Sequence, residues 1–237
     1  MNETIVEETF GVGEAVGKIR FISASGEVSP QDINDVNAPL RELAVLPIQT
    51  HSLNVAVVDA DRRLFPDTDA LITFRPHTPI GVLTADCVPI LLYVQDIKAV
   101  AAIHAGWRGT LGGIVDNVLD TLEHSGCKPG NIHAFIGPAI SVDNYEVDHD
   151  LAEEFSRAGF QDYIIYPDET IARPHIDLKG VNRYRLSCRG VPAQNIITHP
   201  ACTYGYLRDD GLQYPSHRRS HGSPQRLLTT IELTDNN

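Results

Sequence analysis

The sequence predicts an α/β fold, a layered sandwich of mixed β-sheets flanked by helices, in a single domain over residues 1–237. Two observations predict this fold. Three apolar runs typical of buried strands lie close together, at Ile80–Thr84, Pro89–Val94 and Val100–Ile103. Their connections are too short to contain crossover helices, which indicates that at least part of the sheet is antiparallel. An amphipathic helix follows directly, and 42% apolar residues are ample for a core between sheet and helices.

The remaining strands are predicted from short apolar or alternating runs bounded by polar, glycine or proline residues. In chain order these are Gly17–Ile22, Asn54–Val58, Asp69–Phe74, Asn131–Ile136, Tyr163–Tyr166, Asn195–Thr198 and Leu227–Leu233. Shorter helices are predicted at Asp150–Ala158 and Leu178–Cys188, the second with Asp177 as its N-cap. Residues 23–39 are polar and have neither a helical nor a strand period, so we expect a loop there.

The clearest helix is predicted from Thr110 to Ser125. One face carries apolar residues at three- and four-residue spacing, namely Leu111, Ile114, Val115, Val118, Leu119 and Leu122. Thr110 is expected to cap the start of this helix, and Gly126 is expected to end it. The preceding loop would then hold Arg108 and several backbone N–H groups at the positive end of the helix, which favours binding of a phosphate or carboxylate.

Composition and charge exclude several classes of function. The chain has 19 basic and 31 acidic residues, a net charge of −12 and no block rich in lysine and arginine, so we expect no nucleic-acid partner. No apolar run reaches the roughly 18 residues of a membrane span, and the acidic first residues do not resemble a secretion signal. We therefore expect a cytoplasmic protein that does not bind membranes. The 4 cysteines are widely spaced without a CxxC pair, which indicates free thiols.

Two potential metal ligands lie where predicted strands leave the core. Cys87 follows the first apolar run, and His104 ends the third. Zinc binds thiolate and imidazole well, and His51, just before a strand in the same apolar region, is the candidate for a third ligand. Two alternatives remain open from the residues alone. Cys87 could be a structural buried cysteine, or a nucleophile with His104 as its base and with Asp86 or another carboxylate as the group that orients the base.

Several short motifs resemble, in the same order, those of the laccase-domain (YfiH-like) family. They are Gln49–His51, Thr84–Leu92 (TADCVPILL), His104–Gly109 (HAGWRG), Ile136–Ile140 with Tyr145–Val147, Asp177–Leu178, Cys202–Thr203 and Ser216–Arg219. The TADC and HAGWRG motifs are highly specific to that family. The resemblance runs from His51 to the C-terminus and implies the same layered α/β sandwich.

The resemblance also implies an enzyme of purine nucleosides. Members of the family, once described as multicopper polyphenol oxidases, are zinc-dependent purine nucleoside phosphorylases that also deaminate adenosine. By resemblance, His51, Cys87 and His104 are the zinc ligands, which places Cys87 among the catalytic residues, and the substrates are phosphate and adenosine, inosine, guanosine or methylthioadenosine. Three protein ligands leave the fourth position of tetrahedral zinc open, as in catalytic sites. No two of the 10 histidines are two residues apart, which argues against the paired His-X-His ligands of a trinuclear copper cluster.

Further roles are assigned to polar residues of the matching motifs. Asp86 is expected to act as a general acid/base or to orient a neighbouring group. Arg108 is expected to contribute to catalysis and, with Thr110 at the predicted helix start, to bind phosphate. Arg218 and Arg219 are the next candidates for phosphate binding.

The N-terminal part, about residues 1–45, departs from the family pattern. Members usually carry Thr-Arg followed by Gly-Gly-Val-Ser, whereas the corresponding stretch Ser23–Ser29 has no arginine. The usual C-terminal Gly-Arg is Gln225 followed by Arg226 in this chain. Two other functions therefore stay open: a zinc-dependent hydrolase that edits a peptidoglycan precursor, and a catalytically degenerate zinc-binding protein.

Overall fold

A computed structural model of the chain describes residues 7–12, 15–22, 43–59, 64–167, 173–205, 213–221 and 225–234. The strands in chain order are β1 (Glu7–Val12), β2 (Ala15–Ile22), β3 (Val55–Val57), β4 (Ala70–Thr73), β5 (Ile80–Thr84), β6 (Val88–Val94), β7 (Ala99–Ala105), β8 (Ile132–Ile136), β9 (Ile164–Ile165), β10 (His175–Ile176), β11 (Ile196–Thr198) and β12 (Arg226–Glu232). The α-helices are α1 (Trp107–Gly112), α2 (Ile114–His124), α3 (His149–Arg157), α4 (Leu178–Cys188) and α5 (His217–Ser220). Short 3-10 helices lie at Pro129–Asn131, Val142–Asn144, Gln161–Tyr163 and Ala193–Asn195.

Most of these strands belong to two sheets. A 6-stranded sheet has the order β11-β8-β6-β7-β4-β3, and a 4-stranded sheet has the order β1-β2-β12-β5. The two edge pairs of the larger sheet, β11/β8 and β3/β4, are parallel, whereas its inner pairs are antiparallel. The smaller sheet is antiparallel throughout. The predicted mixed and partly antiparallel arrangement is therefore confirmed.

The six-stranded sheet is the middle layer of the described part of the chain. Successive side chains of a strand point to opposite faces of a sheet. Ile90 and Ile103 lie on one face and pack with the apolar faces of α2 and α4. Leu91 and Ala102 lie on the other face and pack with the four-stranded sheet, including Val82. Both faces of β6 and β7 are thus buried, which explains their continuous apolar runs and confirms the layered α/β sandwich.

The predicted continuous helix at 110–125 is wrong, because this segment contains parts of two helices, α1 and α2, that meet at Gly113. Gly113 has φ 86° and ψ 41°, in the left-handed region, where an α-helix cannot continue and where glycine carries little steric penalty. The first helix starts earlier than predicted, at Trp107, with Gly106 as its N-cap. Thr110 therefore lies inside α1 and does not cap it.

The other predicted helices and strands are present with ends that match or shift by one or two residues. Asp177 caps α4 as predicted and accepts a hydrogen bond from the Gly180 N–H at 2.9 Å. Gly126 follows α2 with φ 97°, also as predicted. The sequence pattern does not predict β1, nor β10 and α5, which are too short to show a period. The predicted loop at 23–39 lies outside the described residues.

Within the described ranges, no helix has the length and apolar character needed to cross a bilayer.

Candidate metal centre

Three side chains with metal-binding atoms meet at one end of the six-stranded sheet. His51 lies in the loop before β3, Cys87 in the turn between β5 and β6, and His104 near the end of β7. Antiparallel pairing places Pro89 opposite His104 and so brings Cys87 beside the segment after β7. One ligand atom from each of the three residues lies within 4.8 Å of the others, and His51 Nε2 is 3.9 Å from Cys87 Sγ. The structure thus brings together the three predicted ligands.

Asp69 orients one of these ligands. It directly precedes β4, whose antiparallel register with β7 places it opposite His104. The His104 ring nitrogen Nδ1 lies 2.7 Å from Asp69 Oδ1, and both side chains are buried. A carboxylate on Nδ1 fixes the ring orientation and leaves Nε2 as the metal-binding nitrogen.

The same carboxylate also holds the loop that carries His51. Asp69 accepts hydrogen bonds from the backbone N–H groups of Thr50, His51 and Ser52, at 2.7–3.1 Å, and from the Ser52 hydroxyl at 2.8 Å. His51 has φ 62°, a left-handed conformation that costs a non-glycine residue about 1–3 kcal/mol. The buried carboxylate therefore holds a strained histidine in place. Sequence reasoning missed Asp69, because its role depends on the register of β4 with β7.

Gly106 shows how closely the backbone approaches the three ligands. A Cβ atom at this position would lie 2.8 Å from His51 Cδ2 and 3.1 Å from Cys87 Sγ. Only glycine fits there without moving the ligands. Two imidazoles and a thiolate held around this point form a donor set that suits zinc and other borderline or soft ions.

The charges of the three residues favour the form of cysteine that binds metal. Burial raises the pKa of the Cys87 thiol, but His104 and His51 outweigh it and lower that pKa to about 6. Burial lowers the pKa of His104, whereas the Cys87 thiolate and Asp69 raise it to about 9. In the absence of a metal, Cys87 and His104 therefore form a thiolate–imidazolium pair near neutral pH.

Asp86 is a buried carboxylate that joins the Cys87 loop to the C-terminal part of the chain. Its oxygens accept hydrogen bonds from the Thr203 hydroxyl at 2.6 Å, the Ser216 hydroxyl at 3.1 Å and the Arg218 N–H at 2.7 Å. The residue has φ 86°, again a left-handed conformation for a residue other than glycine. These contacts keep Asp86 in a strained turn and orient the neighbouring Cys87.

Arg108 and Thr110, the two residues predicted to bind phosphate together, both lie in α1 but point to different surroundings. Arg108 is exposed, and its guanidinium lies 4.1 Å from the Trp107 ring centroid. Among the described residues, none accepts a hydrogen bond from the Arg108 side chain. The Thr110 side chain is fully buried, donates to the Ala105 carbonyl at 3.4 Å and accepts from Asn182 Nδ2 at 2.9 Å. Thr110 thus faces the core, whereas Arg108 faces solvent.

The two arginines of α5 also differ. Arg219 donates to three backbone carbonyls, those of Thr203 at 2.8 Å, Tyr204 at 2.6 Å and Tyr214 at 2.5 Å. These hydrogen bonds connect α5 to the segments that precede it. Arg218 donates to the Glu146 carbonyl at 2.9 Å through one guanidinium nitrogen. The remaining donors of Arg218 leave it better placed than Arg219 to bind an anion.

Arg226 is a further residue near the site that sequence reasoning left without a role. It opens β12 and is half-buried. Burial lowers the pKa of its guanidinium, whereas the negative charge of Cys87 raises it. Arg226 is therefore close enough to Cys87 for their charges to interact. The signal in the sequence was the C-terminal arginine of the family pattern.

Comparison with known proteins identifies relatives over most of the chain. A family model described as multi-copper polyphenol oxidoreductase laccase matches residues 31–234. An adenosine deaminase from an unknown prokaryotic organism is 39% identical over 197 residues, which are 79% of this chain and 74% of that protein. A purine nucleoside phosphorylase of Bacteroides thetaiotaomicron is 37% identical over 203 residues, which are 81% of this chain and 74% of that protein.

Solved structures share the fold. YfiH of Bacillus licheniformis is 25% identical, with a TM-score of 0.76 over 93% of this chain and 97% of that one. YlmD from Geobacillus stearothermophilus is also 25% identical, with a TM-score of 0.76 over 94% of this chain and 93% of that one. The family model covers most of the chain, and the two relatives above are 37–39% identical over about four fifths of it, so the chain belongs to the laccase-domain (YfiH-like) family.

Proposed function

We propose that the chain is a zinc-dependent enzyme of purine nucleosides, with phosphorylase activity and adenosine deaminase activity. The observation that carries the proposal is the convergence of His51, Cys87 and His104 on one point, with Asp69 behind them. Relatives of the chain are named adenosine deaminase and purine nucleoside phosphorylase, which supports this class of substrate. We take adenosine, inosine, guanosine and methylthioadenosine as the candidate nucleosides.

The donor set supports zinc as the metal. The description of the family names copper, but a single group of two imidazoles and one thiolate matches a catalytic zinc site with an open fourth position. Bound zinc would supply a Lewis acid and a water ligand of lowered pKa. Asp69 would keep Nε2 of His104 turned towards the metal, and the low pKa of Cys87, about 6, would keep its sulfur in the thiolate form.

We assign the substrate contacts from the positions of the charged side chains. Arg108 binds phosphate, since it is exposed near the ligands and stacks on Trp107, and Arg218 is the second phosphate contact. Asp86 acts as a positioning residue, because three donors already occupy its carboxylate. Thr110 and Arg219 belong to the scaffold of the site, because their polar groups bond to the chain itself.

In phosphorolysis, the N-glycosidic bond breaks, a phosphate oxygen bonds to C1′, and the base leaves with the proton that its nitrogen requires. In deamination, water replaces the 6-amino group of adenosine and ammonia leaves. Only the first reaction consumes phosphate. The residues that bind phosphate are therefore needed in one reaction and not in the other.

The test is product analysis with zinc-loaded protein. Adenosine, inosine, guanosine and methylthioadenosine are each incubated with and without phosphate, and products are identified by mass. We expect free base and ribose 1-phosphate from inosine only with phosphate, and inosine with ammonia from adenosine without it. Failure to convert any of the four nucleosides would overturn the proposal. Release of an amino acid from a peptidoglycan precursor in its place would favour the hydrolase.

A further inference from the structure

Tyr145 lies beside the candidate site and has no role in the proposed chemistry so far. It follows the 3-10 helix Val142–Asn144 and is half-buried. Its N–H donates to the Val142 carbonyl at 3.3 Å, and its own carbonyl accepts from the Ile176 N–H at 3.3 Å. The backbone therefore holds the ring at a defined place on the surface of the core.

Two contacts connect this ring to the ligands. The Arg218 guanidinium lies 5.4 Å from the centroid of the Tyr145 ring. The backbone N–H of the same Arg218 donates to the Asp86 carboxylate at 2.7 Å, and Asp86 directly precedes Cys87. Tyr145 is thus packed against the arginine whose own backbone is anchored next to a metal ligand.

The tyrosine hydroxyl faces charges of both signs. Burial raises the pKa of Tyr145 above its usual value, and the negative charges of Cys87 and Asp86 raise it further. The positive charges of Arg218 and Arg108 lower this pKa, but by less than the other effects raise it. The hydroxyl therefore stays protonated and remains a hydrogen-bond donor throughout the neutral range. Both proposed phosphate contacts, Arg108 and Arg218, lie within electrostatic reach of it.

The hydroxyl also has a vacant hydrogen-bonding capacity. In the described ranges, no side chain or carbonyl accepts a hydrogen bond from Tyr145 Oη. The hydroxyl is therefore free to donate a hydrogen bond to a ligand. Two of the neighbouring charged groups, Arg108 and Arg218, are cations that attract an anion with oxygen acceptors, although the whole chain carries a net charge of −12. Cys87 and Asp86 carry the opposing charges, and the sulfur of Cys87 would be bound to the metal.

We infer that the Tyr145 hydroxyl donates a hydrogen bond to inorganic phosphate, which Arg108 and Arg218 bind with it beside the metal centre. This inference rests on the proposed function, since it gives phosphorolysis a third phosphate contact. The neutral donor supplies direction, whereas the two arginines supply charge. Deamination, which consumes no phosphate, depends on Tyr145 less than phosphorolysis does.

The test measures phosphate binding directly and needs no turnover. Zinc-loaded wild-type protein and the variants Tyr145→Phe and Tyr166→Phe are compared by equilibrium dialysis with labelled inorganic phosphate. Tyr145→Phe keeps the ring and its contact with Arg218, so zinc content and melting temperature should match the wild type. We expect about ten- to hundred-fold weaker phosphate binding in Tyr145→Phe, as for a lost hydrogen bond to a charged acceptor. The control removes a hydroxyl from the exposed Tyr166 and should bind phosphate as the wild type does.

A second readout separates this inference from the proposed function. In phosphorolysis, Tyr145→Phe should raise KM for phosphate by a similar factor and change kcat at saturating phosphate much less. Weaker phosphate binding by Tyr145→Phe in a protein that converts no nucleoside would support the phosphate contact and overturn the proposed function. Unchanged phosphate binding in Tyr145→Phe, or no phosphate binding by the wild type, would overturn the inference. A loss of deamination equal to the loss of phosphorolysis would overturn it as well.

Discussion

At the scale of single residues, Asp69 organises the candidate metal centre without belonging to the three predicted ligands. It is fully buried and contacts the His104 ring together with the backbone of residues 50–52. Burial raises the pKa of this carboxyl, but the hydrogen bond to His104 and the other bonds lower it below its usual value. Asp69 therefore stays ionised, and its charge fixes the proton of His104 on Nδ1.

We expect Asp69→Asn to weaken zinc binding by about 10–100-fold, because the outer partner of a metal-bound histidine typically contributes that much. Asparagine keeps the size of the side chain but removes the charge that holds the His104 Nδ1 proton. The measurement is competition for zinc with a chromophoric chelator. Asp162→Asn, at an exposed carboxylate, serves as the control and should bind zinc normally. Equal affinities in Asp69→Asn and the wild type would show that Asp69 only supports the fold.

The pKa of Cys87 gives a second prediction at this scale. In zinc-free protein, alkylation of Cys87 should reach half its maximal rate near pH 6, because the lowered pKa leaves a reactive thiolate above that pH and a thiol below it. Peptide mass spectrometry across pH 5 to 9 follows this residue alone. Zinc should slow the reaction at every pH, since the thiolate is then bound. A midpoint near the ordinary value of 9.0 would contradict the thiolate–imidazolium pair.

Arg108 gives the third prediction. Removing a charged donor to phosphate costs about 1.5–3 kcal/mol, or roughly ten- to hundred-fold in affinity or rate. Arg108→Ala should therefore depress phosphorolysis by that factor, more than Arg218→Ala does, and depress adenosine deamination less. Steady-state kinetics of both reactions provide the measurement, with Arg157→Ala as the control at an exposed arginine. Equal losses in the two reactions would mean that Arg108 maintains the structure of the site and does not bind phosphate.

At the scale of elements, the break between α1 and α2 determines which side chains reach the site. The left-handed turn at Gly113 lets α1 start directly after β7 and lets α2 lie on the six-stranded sheet. Arg185 of α4 secures this corner, because it donates to the carbonyls of Thr110 and Leu111 at 3.0 Å and 2.8 Å and pairs with Asp116. The carbonyls left free at the end of α1 are thereby satisfied.

We expect Gly113→Ala to destabilise the protein more than Gly126→Ala. Both glycines have positive φ, so alanine costs about 1–2 kcal/mol at either position. At Gly113 the added Cβ would also lie 2.8 Å from Asp116 Oδ2 and 3.2 Å from Arg185 Nη1, whereas no atom lies within 4 Å at Gly126. Urea unfolding of both variants measures the difference in the free energy of unfolding. Equal destabilisation would show that the ion pair moves aside at no cost.

At the scale of the whole molecule, the candidate site is assembled from segments that are distant in sequence and lies beside a large apolar core. Thr203 and Ser216 bond to Asp86 across separations of 117 and 130 residues. Meanwhile, both faces of the six-stranded sheet are covered by apolar side chains. We therefore expect the domain to fold without the metal.

We expect about one zinc per chain in purified protein, because the three ligands form one tetrahedral site with an open position. Chelation should abolish nucleoside turnover and leave the far-ultraviolet circular dichroism spectrum unchanged, and added zinc should restore activity. Elemental analysis of the Cys87→Ala, His104→Ala double variant should find no zinc, whereas Cys188→Ala, at an exposed cysteine, should keep it. Full zinc occupancy in the double variant would show that the metal binds elsewhere.

The sequence by itself determined the layers of the fold and predicted the three residues that meet at the candidate metal centre. Continuous apolar runs at β6 and β7 predicted strands buried on both faces, and three- and four-residue spacing predicted the faces of α2 and α4. Cys87 and His104 stand out because they end such runs, and the HAGWRG and TADC motifs placed the chain in its family. These features are local, because the spacing of apolar residues along a short stretch of chain is enough to predict burial and a helix or strand.

The tertiary structure decided which polar groups remain available for chemistry. Asp86, Thr110 and Arg219 have the residue types expected of a phosphate or acid/base site, yet each bonds to distant parts of the chain. Asp69 looked like the first residue of a strand and proved to support His104. The physical reason is that a polar side chain's role depends on its hydrogen-bond partners, and these partners come from strand register and chain path, which no local pattern specifies.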